Sequence, residues 1–183
     1  MTKNEPDGTR ILGSLRSVDA RGVVRREDRF DTDIDDLWSA ITDPGRLAQW
    51  HAKVEGDLRT GGTFRIVVEV DDWEGTGRVE VCEAPRRLVV TTRESEQSWR
   101  KGQGVPPFDS TLDATLSADG NQTLLVVEIR NLPLEPLPYF GAGWQIHFEE
   151  LAAYLAGSAL ADTEARWDVL VPLYQELIEE SES

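Results

Sequence analysis

Cysteine is almost missing from this 183-residue chain: Cys82 stands alone, so no intramolecular disulfide can form. Histidine is nearly as scarce. His51 and His147 are the only two, and neither belongs to a Cys/His grouping with zinc spacing, so no metal is expected. Basic residues are outnumbered, nineteen against thirty-four acidic ones, for a formal charge of −15. The nearest thing to a basic run, Arg21 to Arg29, is interrupted by Glu27 and Asp28. A phosphate backbone would be repelled over most of such a surface, which excludes nucleic acid as a partner. Apolar runs extend only a few residues, far short of a membrane span, so membrane insertion is excluded as well. Met1 to Pro6 lack the apolar centre of a signal peptide, and the expected location is cytoplasmic.

Reactive motifs are equally sparse. Gly75-x-Gly77 lacks the strand–turn–helix setting of a phosphate loop. Ser110 and Ser117 have no nucleophile elbow, and Cys82 has no basic neighbour in sequence to lower its pKa. No catalytic residue and no cofactor follow from these residues.

What the chain does contain is patterned apolar sequence. After a polar segment, 1–9, expected to be disordered, Ile11–Ser17 and Val23–Phe30 read as a hairpin around a loop ending on Gly22. Asp33 can cap a helix whose Ile34, Leu37, Trp38 and Ile41 recur at i, i+3, i+4, i+7. Asp43-Pro44 ends that helix and starts a shorter one carrying Leu47 and Trp50 inward. The period then becomes two. Phe64, Ile66, Val68 and Val70 alternate with Arg65, Val67 and Glu69, placing Arg65 and Glu69 on the outer face. Further strands are expected over 53–58, 74–82, 87–92, 111–117 and 123–130. Leu125, Val127 and Ile129 supply a core face.

The polar stretch 93–109 is long for a connection inside a compact domain. It reads either as a mobile hairpin extension or as a lid bringing back Trp99 and Phe108. Gly143-Trp144 is expected to open a long amphipathic helix with Trp144, Phe148, Leu151 and Leu155 at i, i+4, i+7, i+11. Glycine there would let the helix begin close against the sheet, or leave its N-terminus open to an anion. Past Gly157, Trp167, Leu170, Val171, Tyr174, Leu177 and Ile178 form a second stripe, with Pro172 expected to kink or restart the helix. That segment either packs outside the sheet–helix unit or makes a homodimer contact.

The run Arg29-Phe30-Asp31-Thr32-Asp33-Ile34-Asp35-Asp36-Leu37-Trp38-Ser39-Ala40-Ile41-Thr42-Asp43-Pro44, then Leu47-x-x-Trp50, then Gly61-Gly62-Thr63-Phe64, resembles the START-like superfamily, in the branch named for the activator of Hsp90 ATPase. Glu83-Ala84-Pro85-Arg86-Arg87-Leu88 is similar to that branch's strand-to-strand corner, and Gly143-Trp144 with Leu151 and Tyr154-Leu155 to its last helix. The resemblance spans about residues 10–157. It implies an α+β helix-grip fold (START-like, Bet v1-like), a curved antiparallel sheet wrapped around a long C-terminal helix, with residues 158–183 as a helical extension. It also implies an elongated cavity between the two layers. Superfamily members include lipid carriers, hormone receptors and polyketide cyclases. The co-chaperone role belongs to members with an additional N-terminal domain.

On that fold the expected function is binding of a small, mostly apolar or amphipathic ligand, by a protein read as a binder rather than an enzyme. The expected walls are Trp50, His51, Phe64, Ile66, Val68, Trp73, Trp144, His147, Phe148 and Leu151. Trp38 reads as core, whereas Trp50 and Trp144 fit core and cavity equally. Two other classes compete. A cyclase or aromatase would use His51 or His147 as general acid–base. A protein-interaction module, of a chaperone-related kind, would need a filled cavity and an exposed apolar patch.

Overall fold

A computed structural model describes residues 10–69, 73–94, 107–160 and 162–181. The expected tail, 1–9, lies outside them, as do Val70 and Trp99. The chain runs β1 (Gly13–Val18), β2 (Arg21–Phe30), α1 (Ile34–Thr42), α2 (Pro44–Leu47), β3 (Lys53–Gly56) and β4 (Thr63–Val68). It continues with β5 (Trp73–Glu83), β6 (Arg87–Glu94), β7 (Asp109–Asp119), β8 (Gln122–Leu132), α3 (Leu137–Leu155) and α4 (Thr163–Ser181). The strands form one curved, open antiparallel sheet in the order β1-β2-β8-β7-β6-β5-β4-β3. α3 lies across its concave face in an α+β helix-grip fold.

The first hairpin turns more tightly than expected. Ser17 pairs with Gly22 and Val18 with Arg21, leaving Asp19 and Ala20, both at positive φ, as a two-residue turn. Gly22 therefore sits in the strand, where a Cβ would strike the Leu137 side chain at 2.5 Å.

Capping sets the helix pair between β2 and β3. Asp33 Oδ1 accepts from the Asp36 amide at 2.9 Å, and Asp43 Oδ1 accepts from the Arg46 amide at 2.9 Å with Pro44 in the first turn. Arg46 then donates to Asp36 Oδ1 at 2.9 Å and to the Tyr154 hydroxyl at 3.0 Å, joining α2 to α1 and α3. Trp50 is pinned by a 3.1 Å hydrogen bond from its indole Nε1 to the Ala40 carbonyl. This packed end of the molecule buries Leu37, Ala40, Leu116, Leu125, Phe148 and Leu151 in one cluster.

α3 starts at Leu137, six residues before Gly143. Gly141 and Gly143 are thus interior to the helix, and no helix N-terminus exists there to receive an anion. Their role is close approach. A Cβ on Gly141 would meet the Tyr174 ring at 2.5 Å and Leu15 at 2.9 Å, and one on Gly143 would meet Trp167 at 3.1 Å.

α4 therefore packs on α3 of its own chain, with Leu170 and Tyr174 fully buried against Ala142 and Ile146. The Tyr174 hydroxyl donates to Gln145 Oε1 at 2.9 Å, and Arg166 clasps Glu149 through two bonds of 2.8 and 2.7 Å. The helix continues through Pro172 without restarting.

Candidate functional site

Between the sheet and the N-terminal half of α3 the two layers separate around a cavity of about 770 Å³. Strand alternation supplies one wall: Ile66 and Val68 from β4, Trp73 from β5, Val90 and Thr92 from β6, Leu112 from β7. Opposite them, α3 contributes Phe140, Trp144 and His147. A second pocket of about 170 Å³ adjoins it under the C-terminal half of α3. His51, Phe64, Ile66, Val90, Leu112, Trp144 and His147 line both.

All ten residues expected around the cavity border one of these two spaces. Trp50, Phe148 and Leu151 edge only the smaller pocket, Val68 and Trp73 only the larger, and His51, Phe64, Ile66, Trp144 and His147 edge both. Trp38 lines neither and packs half-buried against the core, as its helical spacing suggests. Arg65 and Glu69 lie on the outer face, where they pair with Glu74 and Lys53. Most of the 93–109 connection falls outside the described residues. Phe108 within it lines the cavity and meets Phe140 edge to face at 5.9 Å.

Two groups of residues at the site, one in the cavity wall and one behind it, escaped the sequence. The first is on α4, whose Trp167, Asp168, Val171 and Pro172 close one side of the cavity. The stripe itself was visible, but periodicity does not say which neighbour a stripe covers. The second is Glu150, 5% exposed, whose Oε2 lies 3.1 Å from His147 Nδ1. The i,i+3 spacing of His147 and Glu150 on one helix was the available signal.

The polar groups gather in two places. Thr92 and Ser110 hydrogen-bond each other at 3.0 Å across β6 and β7, near Glu94. At the α2–β3 side the His51 ring stacks on Trp50 at 5.2 Å and meets the His147 ring edge-on at 4.3 Å. Burial, reinforced by the neighbouring His147, holds the His51 pKa well below its ordinary 6.5, so this imidazole is neutral at pH 7. Among the described residues no group of three or more His, Cys, Asp or Glu is placed to hold a metal. No helix among them is long and apolar enough to cross a membrane.

Several solved structures share the architecture. CalU16 from Micromonospora echinospora is 27% identical, with 90% of this chain and 96% of that one covered at a TM-score of 0.64. DynU16, a protein of the dynemicin biosynthetic locus, is 25% identical over 77% of this chain at a TM-score of 0.62, and the match spans half of DynU16. MLL2253 from Mesorhizobium loti, 21% identical with 75% of this chain and 99% of that one covered, is alike in fold at a TM-score of 0.64. Among curated proteins none matches the sequence. The sequence model of the family described as Activator of Hsp90 ATPase homolog 1-like protein matches residues 31–156, from the end of β2 to the end of α3, and the chain belongs to that family.

Proposed function

We propose that the protein binds a small, mostly apolar organic molecule between the sheet and α3, without needing to transform it. The observation that carries this reading is the unfilled volume of about 770 Å³, walled largely by aromatic and aliphatic side chains. That size lies within the usual range for pockets that take small organic ligands. Burying 200–300 Å² of apolar ligand surface would supply on the order of 5–8 kcal/mol before association costs, enough for micromolar affinity without covalent chemistry.

The polar groups suit a ligand with an apolar ring body and oxygen functions at its ends. His51 and His147 stand at one end, with Thr92, Ser110 and Glu94 on the sheet wall. The family to which the chain belongs accommodates ligand binding. DynU16, from a biosynthetic locus, is a related fold in a setting of small-molecule chemistry. The alternative of a protein-interaction module called for a filled cavity, and the cavity is open.

Trp73, Trp144 and Trp167 in the walls make occupancy readable by intrinsic fluorescence. Titration with fused-ring ketones and phenols should quench or shift that emission with micromolar midpoints. Native mass spectrometry of freshly purified protein should reveal any co-purifying molecule. Unchanged emission across the whole series would sink the reading.

A further inference from the structure

The inward side chains of β6 and β7 form a ladder that passes from polar to apolar. The register pairs Thr92 with Ser110, Val90 with Leu112 and Leu88 with Ala114, and residues directly opposite each other share a face. Thr92 and Ser110 line only the larger space, Val90 and Leu112 line both, and Leu88 and Ala114 line only the smaller. The two spaces are thus successive stretches of one trough along the same two strands. At about 3.3 Å per residue, the hydroxyl rung and the Leu88–Ala114 rung stand about 13 Å apart.

The chemistry changes along that length. Thr92 and Ser110 hydrogen-bond each other at 3.0 Å, which uses one of their two hydroxyl hydrogens. The other hydrogen and the spare lone pairs are left for a third oxygen. In the smaller space Ile41, Leu47, Val54 and Leu58 face inward, and no Asp, Glu, Lys or Arg is among the described residues lining it. Its volume of about 170 Å³ holds about five or six methylenes, taking each as roughly the 30 Å³ that a water molecule occupies in the liquid. Among the described residues no lysine or arginine lines either space, whereas Asp168 of α4 lines the larger. An anionic head group would therefore be desolvated there without a counter-charge.

We propose that the trough takes a neutral, elongated amphiphile, a phenol or alcohol carrying an unbranched alkyl tail, laid along β6 and β7; the proposal rests on the ligand-binding reading above. The hydroxyl of the ligand completes the Thr92–Ser110 pair. Its ring fills the larger space, and its tail passes the Val90–Leu112 rung, on the side facing His51 and Trp144, into the smaller one. Hydroxyl and ring take up about 6 Å of the 13 Å, and six carbons at about 1.25 Å each, from bonds near 1.5 Å, cover the rest. Thr92 and Ser110 set the orientation of the ligand, while Leu88 and Ala114 measure its length.

The test is a series of 4-n-alkylphenols, ethyl to decyl, titrated against the full-length protein with two reporters. Tryptophan emission reads the larger space, which Trp73 and Trp167 border. A bimane on Cys82, the sole cysteine and an exposed one, reads the smaller space, which alone it borders. Affinity should rise about three- to fourfold per added carbon up to about eight carbons and then level off, with the bimane responding only from about hexyl onward. Thr92→Val should weaken 4-hexylphenol about fivefold and leave hexylbenzene unchanged. 4-Hexylbenzoate should bind at least about tenfold more weakly than 4-hexylphenol. Ala114→Leu, or Leu88→Phe where that variant does not fold, should bring the plateau about two carbons earlier without changing the affinity for 4-ethylphenol. Tryptophan quenching that is indifferent to tail length, or that never reaches the bimane, overturns the trough and leaves the binding reading standing. Benzoate binding tighter than the phenol overturns the neutral head. No quenching by any member of the series overturns both proposals.

Discussion

The two ends of α3 lie over the same sheet face yet do opposite things. Beneath its C-terminal half, Phe148 and Leu151 join Leu37, Ala40 and Trp50 in a closed cluster, leaving about 170 Å³. Beneath its N-terminal half the sheet offers Val90, Thr92 and Leu112, and about 770 Å³ stays open. The filler makes the difference. α1 and the Trp50 segment wedge into one end, whereas aromatic side chains of α3 and α4 line the other without filling it. A helix-grip sheet therefore becomes a solid core or a receptacle according to what its connecting helices cover.

The largest expected effect tests that contrast on stability. Leu37→Ala or Leu125→Ala, each almost wholly buried at the packed end, should cost about 2–5 kcal/mol in denaturant unfolding. Val90→Ala removes methyl groups that already face a void, so its cost should stay below about 1.5 kcal/mol. Equal losses at both ends would break the comparison.

The next effect concerns the other side of α3, which is filled by a different element. Gly141→Ala drives a methyl into the Tyr174 ring and should cost about 1–3 kcal/mol through overpacking. Gly143→Ala, facing only the edge of Trp167 at 3.1 Å, should cost less and should alter ligand affinity more, since Trp167 is a cavity wall. A Gly141→Ala protein as stable as wild type would mean that α4 does not hold its place against α3.

Much of this was legible in the sequence for a definable reason. Caps, turns and alternation are local, so Asp33, Asp43-Pro44 and the Phe64–Ile66–Val68 face could be read directly. The positions of His51 and Trp144 followed from the family pattern. Glycine misled in two places because its uses are not local. Gly143 looked like a helix boundary and is, with Gly141, a contact point for α4, and Gly22 looked like a turn residue and is a seat for Leu137. Alternation also names the inward face without saying how far away the opposing layer stands. The size of the cavity, and the part that α4 plays in it, were for that reason invisible.

A smaller effect tests the open end by filling it. Val90→Trp should occupy cavity volume and weaken binding of a fused-ring ketone at least about tenfold, or about 1.4 kcal/mol, with the unfolding midpoint unchanged or raised. The same substitution at Val127, which is 4% exposed and edges only the smaller pocket, should instead destabilise the fold. Identical behaviour of the two variants would erase the distinction between the ends.

The smallest effect places the boundary between them. His51 has a folded pKa depressed below 6.5, mainly by burial. At pH 7 and above both folded and unfolded chains keep it largely neutral, and its contribution to stability is fully present. As pH falls, the unfolded chain takes up the proton first, so stability is lost, by about 0.7 kcal/mol between pH 7 and 6, until the lower folded pKa is reached. The carboxylates of Asp36, Asp57 and Asp113, held below 3.8 by their hydrogen-bond partners, lose their contributions only in a more acid window. His51→Asn should therefore flatten the unfolding free energy between pH 7 and 6. A slope unchanged by that substitution would mean that solvent in the cavity reaches the His51 ring freely. The open end would then reach Trp50, the residue whose hydrogen bond to the Ala40 carbonyl marks the packed end.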